Sequence, residues 1–221
     1  MMKWPVSVLL FCLLGACQSK QTAPHKPVPT PADQFLSLFS ELTTDTIWIE
    51  TGNVEEEVEL AGYWGQKLDS TWYAFIDAPD VMRFVNGDDS NLHACFRFRI
   101  DEQTEGLIFR EPYEYWDNAI RIYLFDRQIG KTVKSLEAAI EWGDAGDSHS
   151  LGTLLCRSPE GWTAYQFETL CSPDDEEDLG SIICEDSSFV YKIGAGGFQE
   201  LERKATDTTL AYPMIRRFSK F

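Results

Sequence analysis

The segment Glu111-Pro112-Tyr113-Glu114-Tyr115-Trp116-Asp117 alternates carboxylates with aromatic rings over one short stretch. Sugar recognition needs those two residue types side by side. Ring faces stack on the apolar sides of pyranoses, and carboxylates accept hydrogen bonds from hydroxyls. The candidate glycan or ligand contacts are therefore Tyr113, Tyr115, Trp116, Glu111, Glu114 and Asp117, and Gly62-Tyr63-Trp64-Gly65 offers Trp64 on a second aromatic loop. Two such acids separated by about 5 Å, or by about 6.5–9.5 Å, would form the acid pair of a glycosidase. The competing reading is plainer: Tyr and Trp in a β protein often cover the edge of a core.

Histidine chemistry is thinly supplied. His93 and His149 belong to no Gly-x-Ser-x-Gly elbow and no His-Glu-x-x-His helix. Ser148-His149-Ser150 is contiguous in sequence, whereas triad members converge in space. No residue is assigned a catalytic or metal-ligating role, and no cofactor is expected. Asp174-Asp175-Glu176-Glu177-Asp178 lacks the spacing of a calcium loop and reads as a solvated hairpin turn. Gly194-Ala195-Gly196-Gly197 lacks the helix and the Lys-Ser/Thr of a phosphate loop, so turn chemistry explains it.

A formal charge of −17 excludes the basic footprint of a nucleic-acid binder and disfavours adsorption to anionic lipid. It serves solubility and suits a basic protein partner. Six cysteines are present. Cys171 and Cys184 bracket the acidic run symmetrically, as opposite positions on two hairpin strands would, which predicts a bridge between them; Cys95 and Cys156 then pair by default.

An apolar run from Val6 to Leu14 follows Met1-Met2-Lys3 and is too short for a mature membrane span. It ends in Leu14-Gly15-Ala16-Cys17, which resembles the lipobox of bacterial lipoproteins. The resemblance covers residues 1–17 only. It implies a signal peptide over 1–16, cleavage before Cys17, a diacylglyceryl thioether on the Cys17 sulfur and an acyl chain (palmitate or similar) on its amine. Several chains give a stable membrane anchor. Gln18 after the cysteine implies an outer-membrane address. Residues 17–30 then make a proline-rich tether.

The remaining chain, 31–221, reads as one β-rich domain. Thr30-Pro31-Ala32-Asp33 is a helix start with a capping box, and the spacing of Phe35, Leu36, Leu38, Phe39 and Leu42 predicts a helix over 31–42. Strands are expected from Thr46 onward. Thr46–Glu50 and Val54–Leu60 read as a hairpin, Ser70–Ile76 as an aromatic-rich strand, and Leu92–Ile100 as an alternation with one buried face. Ile120–Leu124 repeats the alternation, and 135–142 continues directly from a strand and is read as strand. Short strands at about ten-residue spacing predict an all-β antiparallel sandwich, meander or barrel with a short N-terminal helix. Function then reads as an acidic, lipid-anchored envelope protein that binds a basic protein or a surface glycan without catalysing a reaction. A carboxylate-based glycan hydrolase and a small-ligand carrier are the alternatives.

Overall fold

The structure, a computed structural model, describes residues 28–51, 65–82, 92–112, 119–144, 147–175 and 178–205. In chain order these form α1 (Pro31–Leu36), β1 (Ser40–Glu41), β2 (Thr46–Ile49), β3 (Gln66–Lys67), a 3-10 helix (Ser70–Phe75), α2 (Pro79–Met82), β4 (His93–Arg99), β5 (Thr104–Glu111) and β6 (Ala119–Asp126). Then follow β7 (Lys131–Asp144), β8 (Asp147–Ser158), β9 (Gly161–Asp175), β10 (Asp178–Gly194) and β11 (Gly197–Ala205). The all-β class is as expected. Hydrogen bonding runs in the order β1-β4-β5-β6-β7-β8-β9-β10-β11, with β3 also on β4 and β2 also on β8. Every pairing is antiparallel except that of β1 with β4.

The corner of the fold is β7. Its Lys131–Ala139 stretch pairs with β6, and Ile140–Asp144 pairs with β8. Where β7 leaves β8, β2 takes its place against Thr153–Cys156. One hydrogen-bonded path thereby folds into two packed layers. Between them Phe98, Ile108, Ile120, Ile122 and Leu124 meet Ile49, Leu155, Trp162, Ala164 and Ile193. The opposite face of the first layer carries Leu107, Phe109, Tyr123 and Phe125, covered by Phe35, Leu36 and Phe39 and by Leu68 and Ile76. β5 is therefore buried at every position. Each such large apolar side chain contributes about 1.5–3 kcal/mol on burial, so the N-terminal segment is part of the fold and no mere appendage.

Several sequence expectations change here. The capping box forms as read: Thr30 Oγ1 accepts from the Asp33 amide at 3.1 Å, and Asp33 Oδ2 accepts from the Thr30 amide at 3.1 Å. The helix stops at Leu36, however, not at 42. Ser37 Oγ donates back to the Gln34 carbonyl at 2.6 Å, and Leu42 N–H goes to the Arg97 carbonyl, so β4 takes over the backbone. Ser70–Ile76 is a 3-10 helix rather than a strand. Asp69 caps it by accepting from the Thr71 amide, and the turn lays Phe75 flat on Phe35 with centroids 4.9 Å apart. β2 pairs with β8; Val54–Leu60, the other half of the expected hairpin, lies outside the described residues. In β4 a bulge between Ala94 and Phe96 breaks the alternation. Ala94 joins the outer core, while Cys95 and Phe98 both join the inner one, so both faces are apolar.

Candidate functional site

At its far end the second layer passes from buried to exposed side chains. Direct register partners Trp142, His149, Leu170 and Glu185 form one row across β7, β8, β9 and β10. The next row inward, Ile140, Leu151, Glu168 and Ser187, begins the buried region. His149 Nε2 lies 2.9 Å from Glu168 Oε1 across the rows, and the Trp142 ring meets the imidazole edge-on at 6.2 Å. Leu170 is 45 % exposed, Ile182 52 % and Ile183 51 %. Ile129 and Leu201 are as exposed elsewhere; here three such groups gather on one arm.

The arm that carries them is braced covalently. Cys171 and Cys184 are direct partners in the β9–β10 ladder and form a disulfide across it. This pairing was legible in the spacing. The second expected bridge is not formed: Cys95 and Cys156 are thiols on β4 and β8. Cys95 is buried in the inner core, and Cys156 sits opposite Thr46 in the β2–β8 ladder. Burial pushes both thiols above the usual range, which favours the protonated form.

Glu111, the first residue of the carboxylate and aromatic cluster, ends β5 with its side chain 1 % exposed. Arg121 Nε donates to its Oε1 at 2.6 Å and the Tyr123 hydroxyl to its Oε2 at 2.7 Å; Arg121 Nη2 reaches Glu137 Oε2 at 3.1 Å. These groups lie on the outer face of the first layer, on the strands that carry Phe109 and Phe125. Burial pushes the Glu111 carboxyl up, against the opposing pull of Arg121 and Tyr123. It also pushes the Tyr123 hydroxyl up, helped by Glu111. Buried at 1 % exposure with a hydrogen bond on each oxygen, the Glu111 carboxylate ties β5 to β6 and is shielded from a soluble sugar. A second network at the other end of β5 ties Arg127 to Glu105 at 2.7 Å and to Asp33 of α1 at 3.3 Å.

Tyr113, Glu114, Tyr115, Trp116, Asp117 and Trp64 lie outside the described residues, as does Cys17. His93 on β4 is half-buried, with Arg110 Nη2 3.0 Å from its Nε2. The glycine turn Gly194–Gly197 is a hairpin turn between β10 and β11, with Lys134 Nζ donating to the Gly196 carbonyl at 2.8 Å. Trp142, Glu168, Leu170, Ile182 and Ile183 were missed as surface features. One signal was available for part of this: Trp142 and His149 are equidistant in sequence from Ala145-Gly146, as Cys171 and Cys184 are from Glu177-Asp178. No known protein family, curated protein or solved structure matches this chain.

Proposed function

We propose that this protein is a lipid-anchored envelope component whose folded part binds another macromolecule and catalyses no reaction. The observation that carries the reading is the disulfide-braced β9–β10 arm, which holds Leu170, Ile182 and Ile183 in solvent on an otherwise strongly acidic chain. Keeping such side chains exposed has a solubility cost that a binding role explains. The tethered lipid at Cys17 places the arm at a membrane surface, where an effective concentration favours weak contacts. The Glu111 network supports the same reading, because its carboxylate is engaged in holding β5 to β6.

Two measurements test it. Labelled palmitate should enter the wild-type chain in a diderm host and be lost in Cys17→Ser; labelling of both, or of neither, removes the anchor. Full-length acylated protein, pulled from detergent-solubilised envelopes, should retain one stoichiometric protein that leaves as salt rises. An empty pull-down with turnover of an envelope polysaccharide would replace binding by hydrolysis.

A further inference from the structure

We infer that the end of the fold at which the tether arrives lies against the lipid surface, with Ile129 in the interfacial layer and Lys131, Lys134 and Lys192 facing lipid phosphates. The inference rests on the lipid anchor proposed above and adds which face meets the membrane. Four turns share that end. The Arg127 amide donates to the Gln103 carbonyl at 2.9 Å, which sets the β6–β7 turn beside the β4–β5 turn. Lys134 Nζ reaches the Gly196 carbonyl at 2.8 Å and so brings in the β10–β11 turn. Trp162, just after the β8–β9 turn, donates its indole N–H to the Arg99 carbonyl at 2.9 Å. The tether is delivered to the same place, because Thr30 caps α1 and Asp33 of α1 meets Arg127 at 3.3 Å. From Cys17 to Thr30 the chain reaches about 40 Å as an extended polyproline segment and about 20 Å as a flexible coil. Whatever its extension, this end is the one held nearest the lipid.

The side chains there suit a lipid interface. Ile129 is 63 % exposed at the tip of the β6–β7 turn, and Val133, at 41 %, follows on β7. The tip is held out by its own backbone: Asp126 Oδ1 accepts from the Gln128 and Ile129 amides at 2.7 and 3.0 Å, and Gly130 turns the chain at φ 73°. Lys131, Lys134 and Lys192 are exposed, and among the described residues none of them meets a carboxylate. Beside Lys192 an open cleft of about 360 Å³, lined also by Gly194, Gly196 and Gly197, has room for a phosphate group. Lysine stems lie along apolar surface while their ammonium groups reach phosphate.

Charge sets the orientation. Between Lys134 and Lys192 the sequence holds thirteen carboxylates and one cation, Arg157. Many of them, Asp144, Asp147, Asp175, Asp178 and Glu185 included, lie toward the far end, where Cys171 is about 30 Å along β9 from Trp162. At the near end Arg99, Lys131, Lys134, Arg157 and Lys192 stand against exposed Asp45, Asp77, Glu102 and Glu160, while Asp101 and Asp126 are turned onto backbone amides. An anionic lipid surface therefore repels the far end and accepts the near one. The net charge that disfavours free adsorption orients the anchored molecule, and the disulfide-braced arm points away from the lipid toward a partner.

The test places the acylated full chain in nanodiscs of phosphatidylethanolamine and phosphatidylglycerol that carry a lipid with a nitroxide near its headgroup. Amide signals of Gln128–Lys131 and Gly194–Gly197 should broaden, while those of Leu170 and Ile182–Asp186 stay sharp. Ile129→Asp should cut the broadening several-fold, as should Lys131→Glu/Lys192→Glu. Lys131→Arg/Lys192→Arg should retain it. All three variants change exposed side chains, so their urea midpoints should match wild type. Broadening of the arm, broadening at neither end, or broadening that both the Ile129→Asp and the Lys→Glu variants leave intact would overturn the proposal. So would the same broadening in nanodiscs without nitroxide, which marks self-association. If labelled palmitate enters the chain and the near end still shows no broadening, the face is wrong and the anchor stands. If no palmitate enters, the anchor falls and this inference falls with it.

Discussion

Replacing Arg121 by Met should destabilise the fold in a pH-dependent way, because it strands Glu111. The substitution keeps the aliphatic bulk and removes the guanidinium that sits 2.6 Å from Glu111 Oε1 and 3.1 Å from Glu137 Oε2. Glu111 is 1 % exposed and, among the described residues, retains the Tyr123 hydroxyl at 2.7 Å. Breaking a buried pair by removing one partner costs about 3–5 kcal/mol. Arg121 is 22 % exposed, so water reaches part of the gap and the lower end, about 3 kcal/mol near neutral pH, applies. For a chain of this size that is a fall of about 6–12 °C in Tm. Burial already pushes the Glu111 carboxyl above the ordinary carboxylate range, and without the guanidinium it moves further up. Between the unfolded and folded values the folded chain then binds more protons than the unfolded chain, so stability falls as pH rises through that window. The loss in Arg121→Met should be about 1 kcal/mol at about pH 5 and about 3 kcal/mol at about pH 8. Urea unfolding followed by tryptophan fluorescence at both pH values measures it. In Glu111→Gln/Arg121→Met the added pH dependence should vanish. An equal loss at both pH values, or a slope that survives in the double variant, would refute the assignment of Glu111 as the stranded group.

Three other outcomes follow from the packing. Gly106→Ala should cost about 1–3 kcal/mol in the same urea assay, since a Cβ there would lie 2.2 Å from the Phe98 ring between β4 and β5; an unchanged midpoint would mean that Phe98 swings aside freely. Thr30→Ala should cost about 1 kcal/mol by removing the capping side chain of α1. A Thr30→Ser variant retaining wild-type stability would show that the hydroxyl, and not the methyl, is responsible. Reducing Cys171–Cys184, which are 13 positions apart, should lower stability by up to about 3 kcal/mol and speed amide exchange in the arm first. Exchange that quickens uniformly through both cores would mean that the arm is not an independent opening unit.

Part of this architecture is local and could be read from neighbouring residues. The capping box of Thr30 and Asp33, the strand at Ile120–Leu124 and the hairpin placing Cys171 opposite Cys184 each depend on chemistry within one turn or one ladder. The reading of 135–142 as strand also agrees with β7. Errors arose where a distant partner outweighed local pattern. Aromatic and β-branched residues at 70–76 favour a strand, yet Phe35, itself against Phe125, offers a ring face on which the capped 3-10 turn stacks Phe75. Phe39 and Leu42 continue a helical spacing, yet the β4 edge captured the backbone from Ser40 onward. The alternation of 92–100 predicts a polar face, and a bulge at Cys95 together with a second covering layer made both faces apolar.

Composition and local spacing alone determined the β class, the acidic charge, the lipobox resemblance and one disulfide, because each is set by residue type or by contacts a few positions apart. Only the tertiary structure decided that Glu111 is a buried tie between strands and that Cys95 and Cys156 stay thiols. It alone placed Ile182 and Ile183 half exposed at the disulfide-braced end of the β9–β10 ladder. Those outcomes depend on which strands become neighbours after β7 turns from one layer to the other, and burial is a property of that packing and not of any single stretch of chain.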